Sequence, residues 1–200
     1  MTVGKTRWRR FGLVFGSSMA LVVGTLGLMS MGVLALPITI SGTVFQVSAD
    51  SLTSHKPSSG PAFIQYGAVD MMGSSPTAVA VTVLPAGGVL PNLNQVVCGP
   101  TGLPSPMNNL KVTLTATSAD ATGGLVVDAT SLDGGTATFN NIQIGVPVLS
   151  DRGTTPGYTF GQTADGVSIT GGISQNAVYT QAGTFALTGL HLTAAFASSC

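Results

Sequence analysis

The chain has 200 residues, of which 44% are hydrophobic and only 7% are charged. Because soluble domains average about 25% charged residues, this composition excludes a typical charge-solubilised cytosolic enzyme. A mean hydropathy of +0.47 provides enough apolar surface for a core, which excludes a disordered chain.

The formal net charge of zero conceals an uneven distribution. The first ten residues contain four basic side chains and no acid, whereas the rest has three basic residues against seven aspartates, a charge of −4. Nucleic-acid binding requires clustered lysine and arginine to contact phosphates. The acidic remainder has no such cluster, so we expect no nucleic-acid partner.

A hydrophobic segment, Phe11–Leu36, follows the basic head and contains no charge over 26 residues. This pattern predicts a hydrophobic helix, either a signal peptide or an N-terminal membrane anchor, in residues 1–36. Small residues before a cut after Ala35 favour cleavage, whereas the length of the apolar run favours retention. Both outcomes stay open, and both place an extracytoplasmic domain, residues 37–200, outside the membrane.

Residues 37–200 favour strands over helices, because they contain no glutamate and are rich in threonine, valine and glycine. The clearest alternation of apolar and polar residues is Leu110–Thr117. We predict an all-β fold, a single sandwich- or barrel-like domain. The predicted strands are Ile38–Val47, Ala62–Val69, Thr77–Leu84, Leu93–Cys98, Leu110–Thr117, Leu125–Ala129, Thr136–Ile144, Val167–Thr170, Ala177–Thr180 and Thr184–Phe196.

Clusters of glycine, proline, asparagine and aspartate between these segments predict turns. Asp133–Gly135 and Gly171–Gly172 are two examples, and Gly189 predicts a bulge or bend inside the last strand. Two strands have unusual apolar content. Thr77–Leu84 is apolar or small on both faces, and Thr184–Phe196 is long and amphipathic. These strands could line an apolar groove, or both faces could simply pack inside the domain.

Two cysteines, Cys98 and Cys200, occur in the chain. In an exported domain such a pair predicts one intrachain disulfide. Closing a loop of about a hundred residues would stabilise the fold by up to ~4–5 kcal/mol in the chain-entropy model. An intermolecular bridge or two free thiols are the alternatives.

Catalytic, cofactor and metal motifs are absent from the sequence, so we expect no enzyme activity, no cofactor and no metal. Ser174 lies in the nearest approach to a G-x-S-x-G elbow, which fails at its last position. Only His55 and His191 could act as a base with it. We interpret His55 as a solvated loop residue and His191 as an outward-facing strand residue. The histidines and cysteines also lack the paired spacing of a zinc site.

Several segments of the chain are distinctive when taken together. They are a Trp-Arg-Arg-Phe head, Phe45–Leu52, Phe63–Gly67, Thr138–Gly145, Phe160–Asp165 and Gly183–Leu190. In this combination the chain resembles an uncharacterised family of exported actinobacterial proteins, described as a domain of unknown function. The resemblance covers nearly the whole chain and implies an extracytoplasmic protein, with a small multi-pass membrane protein as a possible partner. Some relatives carry a cholesterol esterase label, which the residues here do not support.

Two hypotheses for function follow. The first is a non-enzymatic, extracytoplasmic envelope protein with a structural or binding role, attached to the membrane through its N-terminal segment and prone to self-association because low charge protects strand edges poorly. The alternative is a lipid- or sterol-binding carrier, or an esterase acting at the membrane.

Overall fold

The computed structural model describes residues 38–72, 75–148 and 159–200. The predicted N-terminal helix and the whole leader, residues 1–36, lie outside the described residues. Within the described ranges, no helix is long and apolar enough to cross a membrane. The strands are β1 (Ile38–Ala49), β2 (Leu52–Ser54), β3 (Phe63–Met72), β4 (Ser75–Leu84), β5 (Gly87–Pro100), β6 (Asn109–Asn140), β7 (Gln143–Val148), β8 (Thr159–Ala164), β9 (Gly166–Thr188) and β10 (His191–Ala197).

The described residues form one antiparallel sheet of ten strands, which confirms the all-β prediction. The pairing closes on itself, because β1 pairs with both β5 and β9, and each of these pairs with β6. β4, β3, β8 and β7 continue the sheet from β6 in that order. Closure removes the free edges of the four strands in the ring and encloses an apolar interior.

The strand β6 is the organising element of the sheet. On one side it pairs first with β5 and then with β4, and on the other side first with β10 and then with β9. The sequence predicted three separate strands here, with a turn at Asp133–Gly135, and that division was wrong. The chain instead runs through 32 residues as a single bent strand with register shifts.

The glycine clusters explain why the strands bend at Asp133–Gly135 and Gly171–Gly172, where the sequence predicted turns that end a strand. Gly135 lies so close to β9 that an added Cβ would approach the carbonyl oxygen of Thr170 to 2.6 Å. Gly171 and Gly172, also predicted as a turn, have φ angles of 79° and 87° within the continuous strand β9. Facing glycines therefore allow two long strands to bend together without ending, as bulged strands do.

Two other boundaries also differ from prediction. The predicted strand Thr136–Ile144 is interrupted at Asn141, whose φ of 51° makes a kink between β6 and β7. The chain keeps its direction there, because Asn140 pairs with Gly166 and Gln143 pairs with Thr163 in the same antiparallel register. Gly189, predicted as a bulge within a strand, instead lies in the turn that separates β9 from β10. Its φ is 64°, a left-handed conformation that glycine adopts without strain.

Two apolar clusters form the core, and β4 contributes to both. Leu84 packs in the larger cluster, whereas Val79 and Val81 pack with Tyr66 and Val178 on the opposite face. The strand predicted to be apolar on both faces is thus packed on both faces. Phe63 of β3 and Phe139 of β6 complete one end of the larger cluster, with ring centroids 5.2 Å apart.

Candidate functional site

The two cysteines lie at disulfide distance, as the sequence predicted. Cys98 is in β5, and Cys200 follows β10, with Cα atoms 5.7 Å apart. β5 and β10 flank opposite sides of β6, so this bridge crosses β6 and fastens β10 to the ring. The side-chain amide of Asn108 also donates to the carbonyl oxygen of Ser198, at 3.3 Å, beside this crossing.

The structure separates Ser174 from His191. Ser174 pairs with Asp133 near the end of β6, whereas His191 pairs with Thr115 near its beginning. At about 3.3 Å per residue, the intervening part of β6 extends over several tens of ångströms. A serine nucleophile needs its base within hydrogen-bond reach, so these two residues do not form a catalytic pair.

His55 has a partner that the sequence did not reveal. Its Nε2 lies 2.7 Å from Oδ1 of Asp120 in β6, and its backbone N–H donates to the carbonyl of Gly87. The two side chains are 34% and 46% exposed, so this is a solvated surface pair of the kind that contributes little to stability. The neighbouring Ser54 hydroxyl accepts the backbone N–H of Val167, so it is engaged elsewhere.

Asp128 is a buried carboxyl group that the sequence analysis did not single out. It is 1% exposed and lies between Val81 of β4 and Tyr179 of β9 in the register of the sheet. The signal was available, because this aspartate interrupts the predicted apolar strand Leu125–Ala129 instead of occupying a turn. No group of three or more potential metal ligands occurs among the described residues.

The sheet encloses an apolar cavity of about 60 Å³. Leucine, valine, isoleucine and phenylalanine side chains from seven strands dominate its wall, with Leu84, Leu125 and Ile169 among them. Four polar residues also reach the wall: Thr82, Gln95, Gln175 and Thr180. No motif signalled this cavity, because its lining comes from strands that are distant in the chain.

One of these polar residues, Thr180, has a buried hydroxyl without a hydrogen bond. The buried Thr180 Oγ1 has no hydrogen-bond partner among the described residues, whereas Thr82 accepts the side-chain amide of Gln65 at 3.1 Å. Unsatisfied buried hydroxyls are uncommon in native proteins, because losing water without a replacement partner costs free energy. The cavity is therefore a mainly apolar space whose wall includes one buried hydroxyl without a partner.

A second apolar feature lies on the surface, where β10 joins β6. Leu192, Ala194 and Phe196 share one face of β10, beside Leu114, Val112 and Leu110 of β6 respectively. Leu192 is 58% exposed and Phe196 57%. We call Leu110, Leu192, Ala194 and Phe196 the apolar strip. The sequence left open whether the strand that ends at Phe196 lines a groove or packs inside the domain, and no described strand covers this face.

β10 is also an open edge. Among the described strands it pairs only with β6, so its second row of backbone N–H and C=O groups faces outward. Natural edge strands are usually protected by lysine, proline, a bulge or very short length. β10 contains no charged residue and no proline, and all seven of its residues pair with β6 without a register shift.

The comparisons with known proteins identify a family but no function. A search of curated proteins finds no match, and a search of solved structures finds none either. Residues 41–200 match a family model described as a family of unknown function, DUF6230. This match covers the entire described sheet apart from the first residues of β1, and the chain therefore belongs to the DUF6230 family.

Proposed function

We propose that the protein is a non-enzymatic, extracytoplasmic envelope protein with a structural or binding role, and that the apolar strip with the open edge of β10 is its contact surface. The supporting observation is an uncharged edge strand that exposes two large apolar side chains. Monomeric proteins seldom leave such a combination uncovered, because it favours association.

The location outside the cytoplasm is part of the proposal. Cysteines at disulfide distance fit an oxidising compartment, since cytosolic thiols are kept reduced. The basic head and apolar leader agree with export, with the leader as a membrane attachment or a cleaved signal. A small multi-pass membrane protein remains one candidate for the binding partner.

The esterase alternative has no structural support. Ser174 of β9 and His191 of β10 pair with distant residues of β6. His55 does contact an aspartate, but the hydroxyl of the adjoining Ser54 accepts a hydrogen bond from a backbone amide. We therefore expect ester turnover by the purified chain to be unchanged in Ser174→Ala and His191→Ala.

The test of the contact surface uses cells that normally make the protein. Cross-linking of intact cells should join the full chain to a defined envelope component, and Phe196→Asp should abolish that product. Val69→Asp is the matched control, because Val69 is 69% exposed on β3, away from β10. A cross-linked product that survives Phe196→Asp, or recovery of the chain from the cytoplasm, would contradict the proposal.

A second candidate function, carriage of an apolar ligand, is favoured by the internal cavity alone. Pockets that enclose a whole drug-sized ligand measure about 300–1,000 Å³. At about 60 Å³, this cavity fits a short segment of one alkyl chain and not a sterol ring system. The single available hydroxyl of Thr180 would face such a chain.

Native mass spectrometry of the protein from its own cells tests this candidate. Carriage predicts an added mass of one single-chain lipid, and Ala182→Leu should remove it by filling the cavity. Ala78→Leu, at an exposed position of β4 outside the cavity lining, should not remove it. A spectrum showing only the bare chain would refute carriage and leave the contact-surface proposal untouched.

A further inference from the structure

We infer that the partner of the apolar strip is a second copy of this chain, bound by antiparallel pairing of β10 with β10 about a two-fold axis through Ala194. This inference rests on the proposed function, because it uses the same surface, and it specifies the partner. The resulting pair of molecules would share one sheet that continues across both copies.

The sequence of β10 is self-complementary in this arrangement. Antiparallel pairing centred on Ala194 places each Ala194 opposite its copy and each Leu192 opposite the Phe196 of the other molecule. A two-fold axis perpendicular to the sheet keeps these side chains on the same face. The other face pairs Thr193 with Ala195 and His191 with Ala197, which are small or polar contacts without a clash of like charges.

The pairing would cover the side chains that the isolated molecule leaves exposed. Leu192 stands between Leu114 of its own β6 and Phe196 of the second copy, and Phe196 stands between Leu110 and the second Leu192. The exposed row of each molecule thus becomes the middle of a continuous apolar face. Leu110, which is 41% exposed, lies at its border.

Charge does not oppose this contact. The charged residue nearest to the axis on either strand is Lys111 of β6, opposite Ala195. Three strand-to-strand steps of about 4.8 Å separate the two copies of β6, and the lysines are also offset by about two residues along the strands, so they stand about 16 Å apart. This distance exceeds the Debye length of about 8 Å at physiological ionic strength, so their repulsion is largely screened.

The link between Cys98 and Cys200 fixes the position of β10 before it pairs with a second copy. An edge strand that pairs with only one neighbour would fray easily, but Cys200 ties the chain just beyond β10 to Cys98 of β5. The strand is therefore presented in a defined register before any partner arrives. A preorganised edge loses less conformational entropy on association.

The experiment uses the full chain with its cysteines oxidised, and it measures mass in solution by size-exclusion chromatography with light scattering. We expect a dimer for the natural sequence. Ala194→Lys and Ala194→Asp should each be monomeric, because two like charges would meet at the axis. An equimolar mixture of these two variants should recover the dimer, since opposite charges then face each other.

Ala78→Lys on β4 is the matched control, because it adds the same charge to another exposed alanine of the sheet and should remain dimeric. If Ala194→Lys does not fold by circular dichroism, Phe196→Thr replaces it and should weaken dimerisation at least tenfold. A natural chain that is monomeric at all concentrations overturns the inference, and so does a dimer that Ala194→Lys leaves intact. Neither result touches the proposed function if the Phe196-dependent cross-link to another envelope component is present.

Discussion

At several glycines of this sheet, the backbone of a neighbouring strand lies so close that no side chain fits. Gly87 begins β5 with a φ of 86°, and an added Cβ would lie 1.9 Å from the carbonyl oxygen of Ala121. Gly60 has a similar φ of 81°, but nothing lies within 4 Å of an added Cβ. A side chain at Gly60 would cause backbone strain alone, whereas a side chain at Gly87 would cause backbone strain and a steric overlap with β6.

We expect Gly60→Ala to lower the free energy of unfolding by roughly 1–2 kcal/mol, the cost of a left-handed alanine. Gly87→Ala should lower it by clearly more, because the backbone of β6 must also move. Urea titration of both variants measures the difference. Equal losses would show that the close approach of β5 to β6 is absent in solution.

The cavity wall provides a second prediction at this scale. Leu84 is 1% exposed and lines the cavity, so Leu84→Ala would enlarge an existing space and should cost about 2–5 kcal/mol. Leu103→Ala, in the exposed segment between β5 and β6, should cost no more than about 0.5 kcal/mol. Thermal unfolding of both variants tests this, and comparable losses would place Leu84 outside the core.

At the scale of elements, β10 is the strand whose position depends most on the link between the cysteines. It pairs with a single neighbour, and its side chains are exposed or only half-buried, so little packing holds it in place. The link between Cys200 and Cys98 compensates for this, because it joins the two strands on either side of β6. The long central strands, by contrast, pair on both sides and enclose the core.

Replacing both cysteines by serine should therefore have a local and a global effect. We expect β10 amides to exchange with solvent much faster while those of β6 and β9 beyond its reach stay protected. The global free energy of unfolding should fall by about 4–5 kcal/mol, the chain-entropy value for a loop of this length. Hydrogen exchange followed by mass spectrometry measures the first effect, and unchanged protection of His191–Ala197 would contradict it.

At the scale of the whole molecule, closure of the sheet joins distant parts of the chain. Ile38 of β1 pairs with Ala182 of β9, and β9 in turn pairs along most of β6. Proteins dominated by such non-local pairs fold slowly, because the entropy of closing long loops is lost before the stabilising contacts form. The low charge also leaves few ion pairs to guide association of the strands.

We expect refolding from denaturant, with the cysteines oxidised, to take on the order of seconds, well above the submillisecond times of helical bundles. Stopped-flow circular dichroism in the far ultraviolet reports strand formation directly. Complete recovery of the signal within a millisecond would mean that the observed long-range pairing does not limit folding.

The amino-acid sequence alone determined the all-β class, because that class depends on residue type and local alternation. In Leu110–Thr117, for example, apolar and polar residues alternate so regularly that the segment predicts a strand. The sequence favoured one intrachain bridge between the two cysteines, and the structure places them at disulfide distance. The sequence also indicated that no serine, histidine and aspartate form a recognisable motif. It missed β2 and β8, which are short strands defined by their partners more than by their composition.

Only the tertiary structure decided where strands end, which apolar face is covered, and where a cavity lies. Asp133–Gly135 has the composition of a turn, yet facing glycines in β9 let the strand continue through it. Leu192 and Phe196 have the alternation of core residues, but β10 pairs beyond the part of the sheet that encloses the core. Period-two alternation shows that two faces differ, whereas burial depends on which other strands pack there, and that information is spread over the whole chain.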